Sequence, residues 1–155
     1  MVDDAPYYYG SAENKLNSKG QVAIPARFRS VLPEEDKCKN YVIVRGEGTC
    51  LYMYTHRQFG KIKDNARKVA EEVGDSGFYR SFMAEAYSVD IDTQGRFVLP
   101  QVFMKTAEIT GPGVLFVGMD DRIEIWDPAV YAAHGAAATQ HEELRRNAAK
   151  KIFGI

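Results

Sequence analysis

The sequence predicts an α+β fold with a mainly β core, and three observations carry that prediction. LNSKGQVAIPARF at residues 16–28 returns as IDTQGRFVLPQVF at 91–103, so a strand–turn–strand–proline unit occurs twice. After a loop, each copy is followed by two apolar runs separated by a turn: YVIV and LYMY around RGEGTC, then VLFV and IEIW around GMDDR. Helix-forming segments come after each half: HRQFGKIKDNARKVAEEV after the first, and an alanine-rich, charged tail after the second.

Taken in order, the elements align closely. Placing Gly20 on Gly95 pairs Asn17 with Asp92, Pro25 with Pro100 and Phe28 with Phe103. Leu16 and Ile91, Val22 and Phe97, and Ile24 and Leu99 keep the alternation of half-buried strands on the same face. In NSKG and DTQG the first side chain can bond to the backbone two residues on, while Gly20 and Gly95 supply a positive φ without steric cost. Pro25 and Pro100 suit the first turn of a short helix, where φ is already set and no amide hydrogen is lost. The later strand pairs end on Tyr54 and Trp126, with the loops absorbing a small difference in length.

Residues 56–73 place Phe59, Ile62, Ala66, Val69, Ala70 and Val73 at helical spacing, with Gly74 as a stop. A shorter helix is predicted at 78–86, and residues 128–151 read as helical with an interruption near Gly135. These helices read as packing and assembly elements. Of Tyr7, Tyr8 and Tyr9, either an interface or the start of a strand is the reading, the latter for Tyr9.

With 155 residues, the chain is one ordinary domain or two very small ones, long enough to bury roughly 68–70% of its unfolded surface. Hydrophobic residues at 45% and charged residues at 26% match a soluble globular protein. No segment has the apolar length of a membrane span, and the acidic start MVDDAPYYYG lacks the features of a secretory signal, so the expected location is cytoplasmic. Cys38 and Cys50 form neither a disulfide framework nor a zinc pattern and read as structural thiols.

A formal net charge of −1 argues against a uniformly basic nucleic-acid binder but permits a local patch. Such a patch lies between Glu13 and Arg29, where Lys15, Lys19, Arg27 and Arg29 face Glu13 as the only acid. Solvated lysines and ordinary hairpin-turn chemistry account for the same residues without a ligand.

Catalytic constellations are absent from the pattern. DIDTQG puts Asp90, Asp92 and Gly95 at the first, third and sixth positions of a calcium loop, but the twelfth is Gln101, preceded by Pro100, and the flanks read as strands. His56, His134 and His141 lack metal-ligand spacing. GPGVLF has Phe116 where a dinucleotide-binding loop needs its third glycine. Glu34, Glu35 and Asp36 read as a solvated loop. Neither enzymatic activity, a cofactor nor a small-molecule substrate is expected.

Together, Tyr9 and Gly10, the stretch LNSKGQVAIPARFR, DTQGRFVLP and the closing IEIWD resemble the MraZ family. Chains of that family carry two AbrB-like modules with a D-x-x-G-R or D-x-K-G-R motif followed by an apolar strand and proline. The resemblance implies two swapped-hairpin repeats, at 9–56 and 87–128, forming one pseudo-dimeric barrel, with helices added at 57–86 and 129–155. It also implies a transcriptional regulator, of the kind that acts on division and cell-wall operons, which binds double-stranded DNA sequence-specifically. Ring-shaped homo-oligomers on repeated promoter boxes, in the cytoplasm and associated with the nucleoid, follow from the same resemblance.

On that reading Lys15, Asn17, Lys19, Gln21, Arg27 and Arg29 face DNA from the first half, and Asp92, Gln94 and Arg96 from the second. Where the family carries Asp and Arg, this chain has Asn17 and Gln21. Asn17 can still close the turn. Gln21 can bond an adenine edge or a phosphate but lacks arginine's charge and fork, which leaves more of the contact to Lys19, Arg27 and Arg29. For Arg27 and Arg29, solvent-facing or ion-paired positions are the alternative. With so little net charge, affinity should come from several subunits engaging several boxes, a gain of roughly 100- to 10,000-fold. Two other functions compete: an oligomeric scaffold that has lost DNA binding, and RNA binding, which would need an exposed Phe97 as a stacking platform.

Overall fold

The computed structural model describes residues 8–32, 40–135 and 138–155; Tyr7, Cys38 and the acids Glu34, Glu35 and Asp36 lie outside them. The first half contains β1 (Ser11–Lys15), β2 (Gln21–Ala23), α1 (Ala26–Arg29), β3 (Tyr41–Arg45) and β4 (Leu51–Thr55). Two helices follow, α2 (His56–Val73) and α3 (Ser76–Ala84). The second half repeats the order as β5 (Tyr87–Val89), β6 (Arg96–Val98), α4 (Gln101–Thr106), β7 (Gly113–Gly118) and β8 (Ile123–Trp126). The chain closes with α5 (Pro128–Val130), a π-helical turn (Tyr131–Gly135) and α6 (Ala138–Phe153).

Six strands form one antiparallel sheet in the order β1-β7-β8-β4-β3-β5, and β2 pairs separately with β6. Exchanging each strand for its counterpart in the other half turns the six-stranded order into its own reverse. The first strand of each half lies against the hairpin of the other: Asn14 is opposite Val114 on β7, and Tyr87 is opposite Ile43 on β3.

The single closed barrel expected from the resemblance is not formed by the described residues. β2 and β6 have three residues each and, as strands, pair only with one another, so they stand as a two-stranded ribbon beside the large sheet. β-strand alternation specifies which side chains turn inward, and this arrangement satisfies it as fully as a barrel would.

Ribbon and sheet enclose the main core. Ile43, Met53, Phe116 and Ile125 of the sheet share it with Val22 and Phe97 of the ribbon and with Phe28 and Phe103 of the short helices. Each such side chain, fully buried, stabilises the fold by about 1.5–3 kcal/mol relative to leaving it in water. On the opposite face of the sheet, Val42, Val44 and Tyr54 meet Phe59 of α2, while Cys50, Val117 and Trp126 meet Tyr131. Cover on both faces explains why β3 reads YVIV without a polar alternate.

Thr55 and Gln58 start α2 as a capping box, the Gln58 amide donating to Thr55 Oγ1 at 3.2 Å and the Thr55 amide to Gln58 Oε1 at 3.1 Å. Gly74 ends it in the left-handed conformation, with φ 69°. The buried stripe of α2 is Phe59, Ala66 and Ala70, whereas Val69 and Val73, expected to turn inward, are exposed. α3 begins and ends two residues before its expected bounds because the Asp75 side chain caps it, accepting from the Gly77 amide at 2.9 Å. Pro25 and Pro100 occupy the N-cap rather than the first helical turn, with φ −54° and −58° and extended ψ. Tyr9 is exposed and precedes β1 rather than opening it; Tyr8, which is buried, forms a bridge to Asp120 instead.

Candidate nucleic-acid interface

The two duplicated turns are built from the same hydrogen bonds. In the first, Asn17 Oδ1 accepts from the amides of Lys19 and Gln21, both at 2.9 Å, and the Gly20 amide donates to the Asn17 carbonyl at 3.0 Å. In the second, Asp92 Oδ1 accepts from Gln94 at 2.9 Å and Arg96 at 2.8 Å, and the Gly95 amide donates to the Asp92 carbonyl at 2.9 Å. Gly20 and Gly95 take φ values of 74° and 78°, a region that side chains with a Cβ enter only with strain. Asn17 therefore shapes its turn as Asp92 does.

The halves also fasten one another's turns. Ile24 donates its amide to the Gly95 carbonyl at 2.8 Å, and Leu99 donates to the Gly20 carbonyl at 3.1 Å. Because β2 and β6 run antiparallel, with Gln21 opposite Val98 and Ala23 opposite Arg96, the turns stand at the two ends of the ribbon. Four residues of extended chain separate Gly20 from the level of Gly95, about 13 Å. The short strands behind the tips are anchored by buried Val22, Ile24, Phe97 and Leu99, so the ribbon holds both tips at a set separation.

Each predicted residue has a definite place. Asn17 and Lys19 are exposed at the first tip, with Ser18 between them, and Thr93 and Gln94 are exposed at the second. Lys15 is exposed at the end of β1. Gln21 is half-buried, and its Oε1 accepts from Asn17 Nδ2 at 3.0 Å. Arg96 is also half-buried, its Nε donating to Asp92 Oδ2 at 2.9 Å. The Arg96 amide, together with the Arg96 guanidinium and the Gln94 amide, holds the Asp92 carboxyl below its ordinary value against the opposing effect of desolvation. One Asp92 oxygen thus accepts from two amides of the turn and the other from the Arg96 guanidinium.

The arginines of α1 turn back onto the protein. Arg27 Nη1 donates to the Ser11 carbonyl at 3.2 Å, and the same guanidinium lies over Gly10. Arg29 Nε donates to the Ile24 carbonyl at 3.2 Å, and its guanidinium lies against Gly95 of the other half. Sequence spacing places both residues on α1 but carries no signal of these backbone contacts across the repeat. Phe97 is buried edge-on against Phe116, with ring centroids 6.5 Å apart, so it offers no stacking face for a nucleobase. Among the described residues no three of His, Cys, Asp or Glu gather as a metal site, and no helix is long and apolar enough to cross a membrane.

A family model described as "MraZ protein, putative antitoxin-like" matches residues 82–153. The chain is 31% identical over 126 residues to a protein named transcriptional regulator MraZ from Cytophaga hutchinsonii, covering 81% of this chain and 82% of the relative. It is 30% identical over 130 residues to the protein of the same name from Syntrophobacter fumaroxidans, covering 83% and 85%. A further relative of that name, from Caldanaerobacter subterraneus subsp. tengcongensis, is 32% identical over 123 residues, with 79% and 82% covered.

Proposed function

Because the chain belongs to the MraZ family, we propose that it is a transcriptional regulator that binds double-stranded DNA sequence-specifically. It acts as a homo-oligomer, a ring, on repeated boxes of a division or cell-wall promoter, and without catalysis. The names of its relatives support regulation of transcription. A single observation carries the DNA reading: two polar turn tips of matched geometry, each fastened to the other half through a glycine carbonyl, at opposite ends of one ribbon. Exchange of β1 and β5 between the halves supports an internal counterpart of a two-chain, swapped-hairpin dimer.

Lys15 and Lys19 are the cations that meet phosphate from the first half; Asn17, Gln21, Gln94 and Arg96 set the tips and approach the groove edges. Arg27 adds charge beside the first tip. Asp92 serves by orienting Arg96, much as a carboxylate fixes a functional side chain from behind. Apolar residues exposed on α6, among them Leu144, Ile152 and Phe153, supply surface of the kind a subunit interface covers.

A mobility-shift titration with the DNA upstream of the protein's own coding region, repeated across salt concentrations, tests the reading. Phosphate contacts require an affinity that falls steeply with salt, and assembly requires tighter binding to several boxes than to one. Lys19→Ala and Arg96→Ala should each weaken binding while leaving the melting temperature nearly unchanged. Absence of binding at low salt, or equal affinity for one box and for several, would contradict the proposal.

A further inference from the structure

The two turns differ in what lies behind them. A Cβ added at Gly20 would meet nothing within 4 Å, whereas one added at Gly95 would lie 2.5 Å from Arg29 Nε and 2.7 Å from Arg29 Cζ. Gly95 is accordingly buried and Gly20 only half so. Arg29 comes from α1 in the first half, yet it presses on the turn of the second. Its Nε is held by the Ile24 carbonyl, and Ile24 in turn donates its amide to the Gly95 carbonyl, so one backbone unit grips both the arginine and the turn. Met104 occupies the equivalent position on α4, without a guanidinium to return the contact. Arg29 also walls a cavity of about 330 Å³ shared with Tyr41, Ile91, Asp92 and Thr93, which runs between α1 and the second tip.

We propose that Arg29 is a positioning residue: it braces the Asp92–Gly95 turn from the other half and so sets the direction in which Arg96 and Gln94 are presented, rather than contacting DNA itself. Its part in recognition rests on the DNA-binding reading above; its part in the turn does not. The planar guanidinium covers Gly95 where a Cβ cannot fit, and its hydrogen bond to Ile24 prevents it from swinging outward. Lysine has the charge without the plane, and methionine has the length without either.

Amide hydrogen exchange and DNA titration, performed on the full chain and on Arg29→Met and Arg29→Lys, test this. Exchange at Gly95 and Arg96 should quicken by about tenfold in Arg29→Met, the effect of losing one supporting hydrogen bond, while Gly20 and Gln21 keep their rates. Binding to the upstream DNA should weaken, yet the slope of log affinity against log salt should stay as in the parent chain. A direct phosphate contact would instead reduce that slope by about 0.9 and leave the Gly95 and Arg96 exchange rates alone, which would overturn the proposal. Quickened exchange at both turns alike would also overturn it, marking a general loss of stability. Arg29→Lys, which keeps the charge, should retain the slope and still quicken exchange at Gly95. If the parent chain binds no DNA, the functional reading fails by itself, and the exchange rates still decide whether Arg29 braces the turn.

Discussion

Asn17 Nδ2 donates to Gln21 Oε1 at 3.0 Å, occupying the place that the Arg96 guanidinium and the Asp92 carboxylate occupy in the second turn at 2.9 Å. The absent arginine at position 21 and the absent carboxylate at position 17 are thus one change: an ion pair replaced by a neutral hydrogen bond of the same span. Restoring both partners, Asn17→Asp with Gln21→Arg, should keep the turn and move the melting temperature by no more than about 2 °C, because exposed ion pairs contribute little. Gln21→Arg alone leaves the guanidinium without its carboxylate and should raise the salt slope of DNA binding. Thermal denaturation and salt-dependent titration of the two variants beside the parent chain check this.

The same difference separates the turns by pH. Asp92 is held below its ordinary value of 3.8, chiefly by the Arg96 amide. A carboxyl depressed in the folded state adds stability above the unfolded value, and that stability is lost as pH falls through the folded one. The Arg96 and Gln94 amides should therefore shift in nuclear magnetic resonance with a midpoint below pH 3.8, whereas the Gln21 and Lys19 amides, bonded to the uncharged Asn17, should show no such transition of their own. Asp92→Asn should abolish the acid transition at the second turn.

Duplication made most of this architecture readable from the residues. Alternating Val22 and Ile24, the paired apolar runs, and the Thr55 to Gly74 helix with its stop are local patterns, and each appears where the spacing puts it. Choice of partner is another matter, because alternation specifies a buried face and not the strand beside it, so the ribbon of β2 and β6 beside an open sheet, in place of a closed barrel, could not be read from it. The backbone contacts of Arg27 and Arg29 were equally unreadable, since the two guanidinium groups lie against Gly10 and Gly95 in other parts of the chain. Val69 and Val73 fit the helical period of α2 but stand outside its buried stripe of Phe59, Ala66 and Ala70.

Alkali should destabilise the protein through the outer face of the sheet. Burial, reinforced by Glu124, pushes the Cys50 thiol from 9.0 up to about 12, and burial likewise pushes the Tyr54 hydroxyl from 10.0 up to about 12. Groups raised in the folded state contribute fully below their unfolded values, and the contribution is lost as pH rises toward the folded ones. Stability should thus fall between about pH 9 and pH 12, and Cys50→Ala with Tyr54→Phe should flatten the fall. At neutral pH Cys50 should resist thiol reagents until the chain is unfolded, a test made cleanly in a Cys38→Ser background.

Alanine placed at the two turn glycines should distinguish a conformational cost from a steric one. Both positions lie near φ +75°, so Gly20→Ala and Gly95→Ala share the strain of a left-handed residue, about 1–2 kcal/mol. Only at Gly95 must the new Cβ also displace Arg29 and, with it, the bond to Ile24. Gly95→Ala should therefore be the more destabilising of the two, and the excess should disappear when Arg29→Ala is already present, since the three atoms nearest the new Cβ (Arg29 Nε, Cδ and Cζ) are then gone. Denaturant melts of the four chains, treated as a double-mutant cycle, measure that coupling directly; an excess that persists without Arg29 would place its source in the backbone of the turn itself.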